Sequence, residues 1–295
     1  MPRAKVDALV AALNNELYVT GGSTNPADLN NSVTSETYIY TPGEDAWRPG
    51  TAMPKALKYA TACTLEGKMY VYGYEDDAPT FEVFDPGSGW SYLPLMNYPT
   101  RRGLRLAALN GIVYAIGGDN AGAPSPLIEA YSVTGQTWSN KTSMPTDLQN
   151  TGRMNSGVIV LGTNIYVIGG FRDTDEFAND KVLVYDTVED SWSVLYPGFA
   201  SINISLGISE GLIYGFGQYL ANYNVTAIHM KYPDPYVGMT LDPEVGRLEI
   251  APSENVGMGT NAPNIGGYLY FVGGAIGTTD NFTAVASLER YYPVP

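Results

Sequence analysis

The chain contains one cysteine, Cys63, and one histidine, His229, among 295 residues. A single thiol excludes any disulfide within the chain, and a single imidazole excludes zinc or copper sites built on several histidines. Positive charge is scarce too: 16 Lys plus Arg stand against 30 Asp plus Glu, for a net charge of −14. Such a chain repels phosphate backbones and anionic lipid, which argues against nucleic acid or a membrane surface as its main partner. No run of about 18 apolar residues occurs, so membrane insertion by a helix is not expected. The first residues show no basic-then-apolar leader pattern, and long helical periodicity is hard to find.

What the chain has in abundance is glycine, proline and tyrosine, at 33, 20 and 23 residues, with 44% hydrophobic content. That mixture of turn formers and β-favouring bulk predicts an all-β protein with a sizeable core. Self-similarity then sets the architecture. Six segments share a Tyr-x-x-Gly pattern whose glycines are Gly21, Gly73, Gly117, Gly169, Gly217 and Gly273, spaced by 52, 44, 52, 48 and 56 residues. Each follows a turn signal such as Asn14-Asn15, Glu66-Gly67 or Asn110-Gly111, suited to the positive φ of a short hairpin. A second pairing follows: Tyr40 with Trp47, Phe84 with Trp90, Tyr131 with Trp138 and Tyr185 with Trp192, which uses all four tryptophans. Two hairpins per repeat give four antiparallel strands, a to d.

This pattern resembles the Kelch repeat along essentially the whole chain. The run from Asn179 to Asp186 is similar to the family's strand c, and Met53-Pro54, Met144-Pro145 and Arg101-Arg102 resemble its d-to-a connection. The resemblance implies a six-bladed β-propeller of four-stranded antiparallel blades, in the superfamily of the galactose oxidase central domain. Blade limits fall near 1–52, 53–97, 98–145, 146–197, 198–252 and 253–295. Repeat 2 departs with Tyr74 for the second glycine, and repeat 5 with Gln218 and no tryptophan. Met1-Pro2-Arg3-Ala4 aligns with Met53-Pro54-Lys55-Ala56, so the chain starts after a strand d and stops before one. The sixth blade is therefore expected to lack its outer strand, as in a trimmed piece of a longer chain or a three-stranded blade.

Chemistry is sparse on this scaffold. The signature tyrosines, glycines and tryptophans read as packing residues. His229 falls on strand c of repeat 5 and reads as structural; galactose oxidase needs two histidines at copper, so that activity is not expected. Cys63 aligns with Ala11 and reads as small filler. Plant nitrile-specifier proteins carry a Glu-x-x-x-Asp-x-x-x-His iron motif; Glu176 and Asp180 match it, but Val184 replaces the histidine. The acidic groups Glu75-Asp76-Asp77 and Asp173, Asp175 and Glu176 lack the spacing of a calcium loop and read as solvated charge. No metal and no cofactor are expected.

The b-to-c connections (23–32, 74–77, 119–123, 171–180 and 275–281) and the d-to-a connections (98–105, 148–154 and 254–259) open on one rim. They bring Arg101, Arg102, Arg153 and Arg172 near Tyr74, Tyr98 and Phe171. Arginine forks beside aromatics suit carboxylate, sulfate or sugar, and the resemblance implies partner binding at such a rim. Five Asn-x-Ser/Thr sequons, at Asn30, Asn140, Asn203, Asn224 and Asn281, point to glycosylation. The expectation is a non-enzymatic recognition propeller that binds a protein or glycan in an extracellular assembly. An intracellular Kelch substrate adaptor is one alternative, and a hydrolase or lyase with an acid/base site at the mouth is another.

Overall fold

The computed structural model describes residues 1–25, 28, 32–120, 123–145, 152–171, 181–195, 201–219, 230–232, 240–241, 261–272, 275–278, 281–284 and 288–291. His229, Arg172, the 172–180 acidic segment, and the sequons Asn30 and Asn224 lie outside the described residues.

All named elements are β-strands. Sheet 1 runs β1 (Leu9–Leu13), β2 (Glu16–Thr20), β3 (Thr37–Thr41) and β4 (Ala46–Pro49) in spatial order 1-2-3-4. Sheet 2 repeats this with β5 (Lys58–Leu65), β6 (Lys68–Glu75), β7 (Ala78–Asp85) and β8 (Gly89–Tyr92). After the short β9 (Arg101–Arg102), sheet 3 takes β10 (Arg105–Leu109) and β11 (Ile112–Ile116). Its outer strands are β14 (Ile128–Ser132) and β15 (Thr137–Asn140), while β12 (Asp119–Asn120) and β13 (Ala123–Pro124) form a small sheet with β9. Sheet 4 is β16 (Gly157–Leu161), β17 (Asn164–Ile168), β18 (Val182–Asp186) and β19 (Ser191–Leu195). Sheet 5 is β20 (Ser201–Ser209), β21 (Leu212–Tyr219), β22 (Met230–Tyr232) and β23 (Thr240–Leu241). In sheet 6, β24 (Asn264–Ile265), β25 (Tyr268–Val272) and β28 (Leu288–Tyr291) make three strands, with β26 (Ala275–Thr278) and β27 (Asn281–Ala284) as a separate pair.

Burial varies with strand position within a sheet. In β1 alternate residues are covered, whereas Leu17, Tyr18, Val19 and Thr20 of β2 are all buried. A second strand can be apolar on both sides of its pleat because a neighbouring sheet covers each face. The fourth strands β4, β15 and β19 are mostly exposed, which is why their sequences are polar around one tryptophan. Each tryptophan ties neighbouring sheets together. Trp90, Trp138 and Trp192 donate Nε1–H to the carbonyls of Thr51, Pro94 and Thr142, at 3.3, 2.7 and 2.8 Å, on the segments that leave the preceding sheets. Trp47 stacks on Tyr40 at 5.1 Å, and Tyr40 lies 6.4 Å from Tyr270, so sheet 1 packs against sheet 6. Aromatic pairs of this kind add about 0.5–1.5 kcal/mol beyond the area they bury.

The first strands of sheets 1 to 4, with Asn261, Pro263 and Asn264, enclose a space of about 310 Å³ whose walls are largely Val, Leu, Ile and Ala. Cys63 lines it half-buried, and burial pushes its thiol pKa up, which disfavours the thiolate.

Two fold-level outcomes follow from this packing. At φ +80°, a Cβ on Gly22 would stand 2.7 Å from the Val6 carbonyl, whereas one on Gly43 would meet nothing within 4 Å. Gly22→Ala should therefore lower stability by at least about 1–3 kcal/mol in urea denaturation, with Gly43→Ala close to neutral. Lys5 has no exposed surface; its Nζ donates to the Glu36 carbonyl at 3.1 Å and lies 5.0 Å from the Tyr38 ring centroid. Burial pulls its pKa from 10.5 to about 8, against the pull of Glu36. Between pH 8 and 10.5 the unfolded chain holds a proton there that the folded chain has lost, so this lysine's contribution to stability rises with pH in that window. The Cys63 thiol and the buried tyrosines, whose pKa values burial raises, slope the other way. Denaturation of the wild type compared with Lys5→Met between pH 7 and 9.5 should therefore show the wild type gaining relative to the variant, by about 3 kcal/mol at most.

Candidate functional site

The segments entering each first strand share a backbone feature. Two residues before Leu9, Arg105 and Gly157, which open their ladders, and before Thr61, where the β5 ladder resumes after a bulge, stand Asp7, Gly103, Asn155 and Tyr59. All four have φ between 50° and 63°. The left-handed conformation is favourable for Gly and tolerated by Asn and Asp, and is uncommon for Tyr. This kink turns the connection into the strand, and it places the four residues around one cavity of about 200 Å³ at the entry end of sheets 1 to 4. Lys58 and Arg105 line the same cavity. The Asn155 amide donates to the Gly103 carbonyl at 3.0 Å, linking sheets 3 and 4 at its edge.

Beside the cavity lies an exposed cationic and aromatic patch between sheets 2 and 3. The Arg102 guanidinium stands 5.1 Å from the Tyr59 ring centroid and 5.5 Å from that of Tyr74, and pairs with Asp77 at 3.0 Å. Arg102 is half exposed and Asp77 almost fully so. Tyr59 meets Tyr74 edge-to-face at 6.2 Å and keeps 45% of its surface open. Tyr98 is 47% exposed on the adjoining connection. A guanidinium on aromatic faces, with its remaining edge in solvent, suits a carboxylate or carbonyl from outside.

The arginines divide sharply. Arg101 was expected at the rim but is fully buried, and it works as a strut. Its Nη1 donates to the Gly117 and Leu127 carbonyls at 2.7 and 3.0 Å, its Nε to the Tyr98 carbonyl at 3.2 Å, and its Nη2 to Glu129 at 2.7 Å. Glu129 also accepts from the Asn97 amide at 2.7 Å, which fixes the connection between sheets 2 and 3. Arg153 is buried too, and its carbonyl accepts from the Gly118 amide at 2.7 Å. Neither side chain is presented to a ligand. Tyr74 is also covered, with its hydroxyl on the Pro99 carbonyl at 3.1 Å beside the Tyr72 hydroxyl, so it supports Arg102 from below. Phe171 is half-buried in a backbone bridge to Met154. Among the described residues, Arg102 and Tyr98 are the expected ones that remain accessible, and Tyr59 and Asp77 join them, while Asp7, Lys58 and the buried Arg105 line the cavity. Among the described residues, no group of three or more His, Cys, Asp and Glu could hold a metal ion. Of the sequons, Asn140 ends β15 in solvent, where its Oδ1 accepts from Asn97 at 3.2 Å; Asn203 and Asn281 lie on β20 and β27.

The strut gives a stability test. Removing one partner of a buried pair strands the other charge, so Glu129→Ala should cost about 3–5 kcal/mol in urea denaturation. Lys68→Ala breaks the half-exposed pair with Asp85 (3.0 Å) and should cost at most about 1 kcal/mol.

Comparison with known proteins places this arrangement. The model described as "Kelch motif" matches residues 4–54, 100–145 and 152–195. Human Kelch-like protein 23 is 28% identical over 279 residues, covering 88% of this chain and 44% of that protein. Kelch repeat and BTB domain-containing protein 8 of Danio rerio is 25% identical over 206 residues, covering 66% of this chain and 33% of its own length. Kelch-like protein 21 of Danio rerio is 27% identical over 228 residues, covering 62% and 35%. The chain thus spans about a third to under a half of these curated relatives.

Proposed function

Because the chain belongs to the Kelch repeat family, we propose that its six sheets close radially into a propeller whose entry face docks a protein partner. On this reading it is the recognition part of an intracellular adaptor. The observation that carries the proposal is the open Arg102–Tyr59–Tyr98 patch continuous with the cavity. Guanidinium and tyrosine are the side chains on which protein interfaces concentrate binding energy. The adaptor role is supported by relatives whose names pair Kelch repeats with a BTB domain. The contact between Tyr40 and Tyr270 supports radial closure, since it brings the sixth sheet against the first.

A glycan ligand and a secretory location form a second reading, favoured by the exposed sequon at Asn140. Sugar on that residue in native material would carry it. A glycosidase-type site would need a pair of carboxylates, and among the described residues lining the cavity Asp7 is the one present.

The docking reading is tested by affinity capture and cross-linking of the native protein. Arg102→Glu together with Tyr59→Ala should reduce capture of the partner at least about tenfold. Val188→Glu, on an exposed c-to-d turn at the opposite end of sheet 4, should leave it unchanged. Equal loss in both variants, or in neither, would remove the entry face from the function.

A further inference from the structure

Buried cations recur at one position of the repeat. Two residues before the kinked Asp7, Gly103 and Asn155 stand Lys5, Arg101 and Arg153, each with at most 1% of its surface exposed. Lys5 and Arg101 act alike: each donates to the carbonyl that also accepts the amide of the first signature glycine. That carbonyl is Glu36 for Lys5 and Gly21, and Leu127 for Arg101 and Gly117. In these three sheets the glycine pairs 21–22, 117–118 and 169–170 leave the second strand at φ between 62° and 96°, and a buried cation accompanies each pair. Sheet 2 has neither feature. Leu57 takes the cation's place, Tyr74 follows Gly73, and the β6–β7 ladder runs on to Glu75 opposite Ala78.

The anionic half of the strut is still there. Glu82 stands two residues before Phe84, which packs on Trp90, as Glu129 stands two before Tyr131, which packs on Trp138. Glu129 takes Arg101 at 2.7 Å, whereas Glu82 is paired with no cation. It has no exposed surface, its Oε1 accepts from the Thr80 hydroxyl at 2.7 Å, and its Oε2 has no partner. Val71, opposite it in the ladder, belongs to the cluster of Leu9, Met53, Leu57 and Phe84, so the carboxyl faces sheet 1. From that side Tyr18 rests on Phe84 at 5.6 Å, and the Thr20 and Thr37 hydroxyls bond each other at 2.6 Å. Among the described residues, the cations of sheet 1 and of its connection to sheet 2 are engaged. Arg48 pairs with Glu16 at 2.7 Å, Arg3 with Glu36 at 3.2 Å and Lys55 with Glu75 at 2.5 Å, while Lys5 holds the Glu36 carbonyl. Within sheet 2, Lys68 pairs with Asp85, Lys58 lies opposite Tyr74 on the other face, and Tyr92 is the ladder neighbour on β8.

A dry carboxylate with no cation and an unanswered oxygen is costly, and the neutral acid costs far less. Burial accordingly holds the Glu82 carboxyl above its ordinary 4.5; the Thr80 bond pulls the other way, and the charge of Glu75 adds to burial. We propose that Glu82 is a proton-controlled lock on sheet 2: neutral, it lets the sheet lie dry against sheet 1, and ionised, it draws water into that contact and loosens the β6–β7 hairpin. The hairpin carries Tyr74 and Asp77, which hold Arg102, so the proton on Glu82 sets how firmly the exposed patch is held. Above pH 4.5 and up to the raised value, the folded chain keeps a proton that the unfolded chain has lost. This carboxyl's contribution to stability therefore falls as pH rises through that window.

Urea denaturation of the full chain compares the wild type with Glu82→Gln, the neutral isostere of the protonated side chain, from about pH 4 to about pH 8. The two midpoints should lie closest at the acid end. As pH rises, the Glu82→Gln midpoint should move above that of the wild type and then level off. At neutral pH, hydrogen exchange at the β7 amides should be slower in Glu82→Gln than in the wild type, with the β14 amides of sheet 3 unchanged. Leu57→Arg restores a cation at the vacant position, and its stability relative to Leu57→Arg with Glu82→Gln should no longer fall with pH. Should Leu57→Arg fail to fold, because Leu57 is buried in the core, the Glu82→Gln arm still decides. A gap between wild type and Glu82→Gln that stays constant with pH, or a wild type that gains on the variant as pH rises, overturns the lock. Equal exchange at β7 in the two proteins overturns it as well.

Discussion

Each sheet here has two apolar faces and can bury neither by itself. Leu17 and Val19 on one side of β2, and Tyr18 and Thr20 on the other, are all covered. Satisfying both faces requires a sheet on each side, so every repeat depends on its neighbours. The interdigitating rings make that dependence specific: Phe81 lies 5.2 Å from both Tyr131 and Trp138 of the next sheet, and Tyr114 lies 6.1 Å from Tyr185. The tryptophan N–H bonds to the preceding sheet's exit segment set the angle at which each sheet is laid down.

Once sheets stack this way, the connections are forced to two ends. Strands a and c start at the entry end, so the described b-to-c and d-to-a segments gather there. The left-handed kink at Asp7, Tyr59, Gly103 and Asn155 follows from the same geometry, since each chain must turn from the outside of one sheet to the inside of the next. The site is thus a by-product of the packing solution, and its residues are those the connections happen to carry. On the proposed docking reading, function resides in a few side chains at the kinks, while the sheets hold them at fixed spacing.

Electrostatics at that end separates struts from presented groups. The Arg101–Glu129 pair is dry and saturated with partners, and holds one connection in place. Arg102, one residue later, faces solvent on a platform of two tyrosines. Arg105 is intermediate: buried like Arg101, yet with one nitrogen unanswered and a cavity beside it.

The recurring Tyr-x-x-Gly hairpins and the Tyr–Trp pairs made strand order and sheet count legible, because period, turn chemistry and alternation are local properties. Even the ring of kinked residues could have been read, by aligning Asp7, Tyr59, Gly103 and Asn155 on the hairpin glycines. The fates of the arginines could not. Arg101 and Arg102 are adjacent, and the pleat sends them to opposite faces. Which face is covered depends on Glu129, 28 residues away, and on the Gly117 and Leu127 carbonyls. Sequence by itself determined the repeat, the strands and the end at which the loops converge. The tertiary structure decided which charges became struts and which stayed open, because burial and hydrogen-bond saturation are properties of neighbours that only the folded chain brings together.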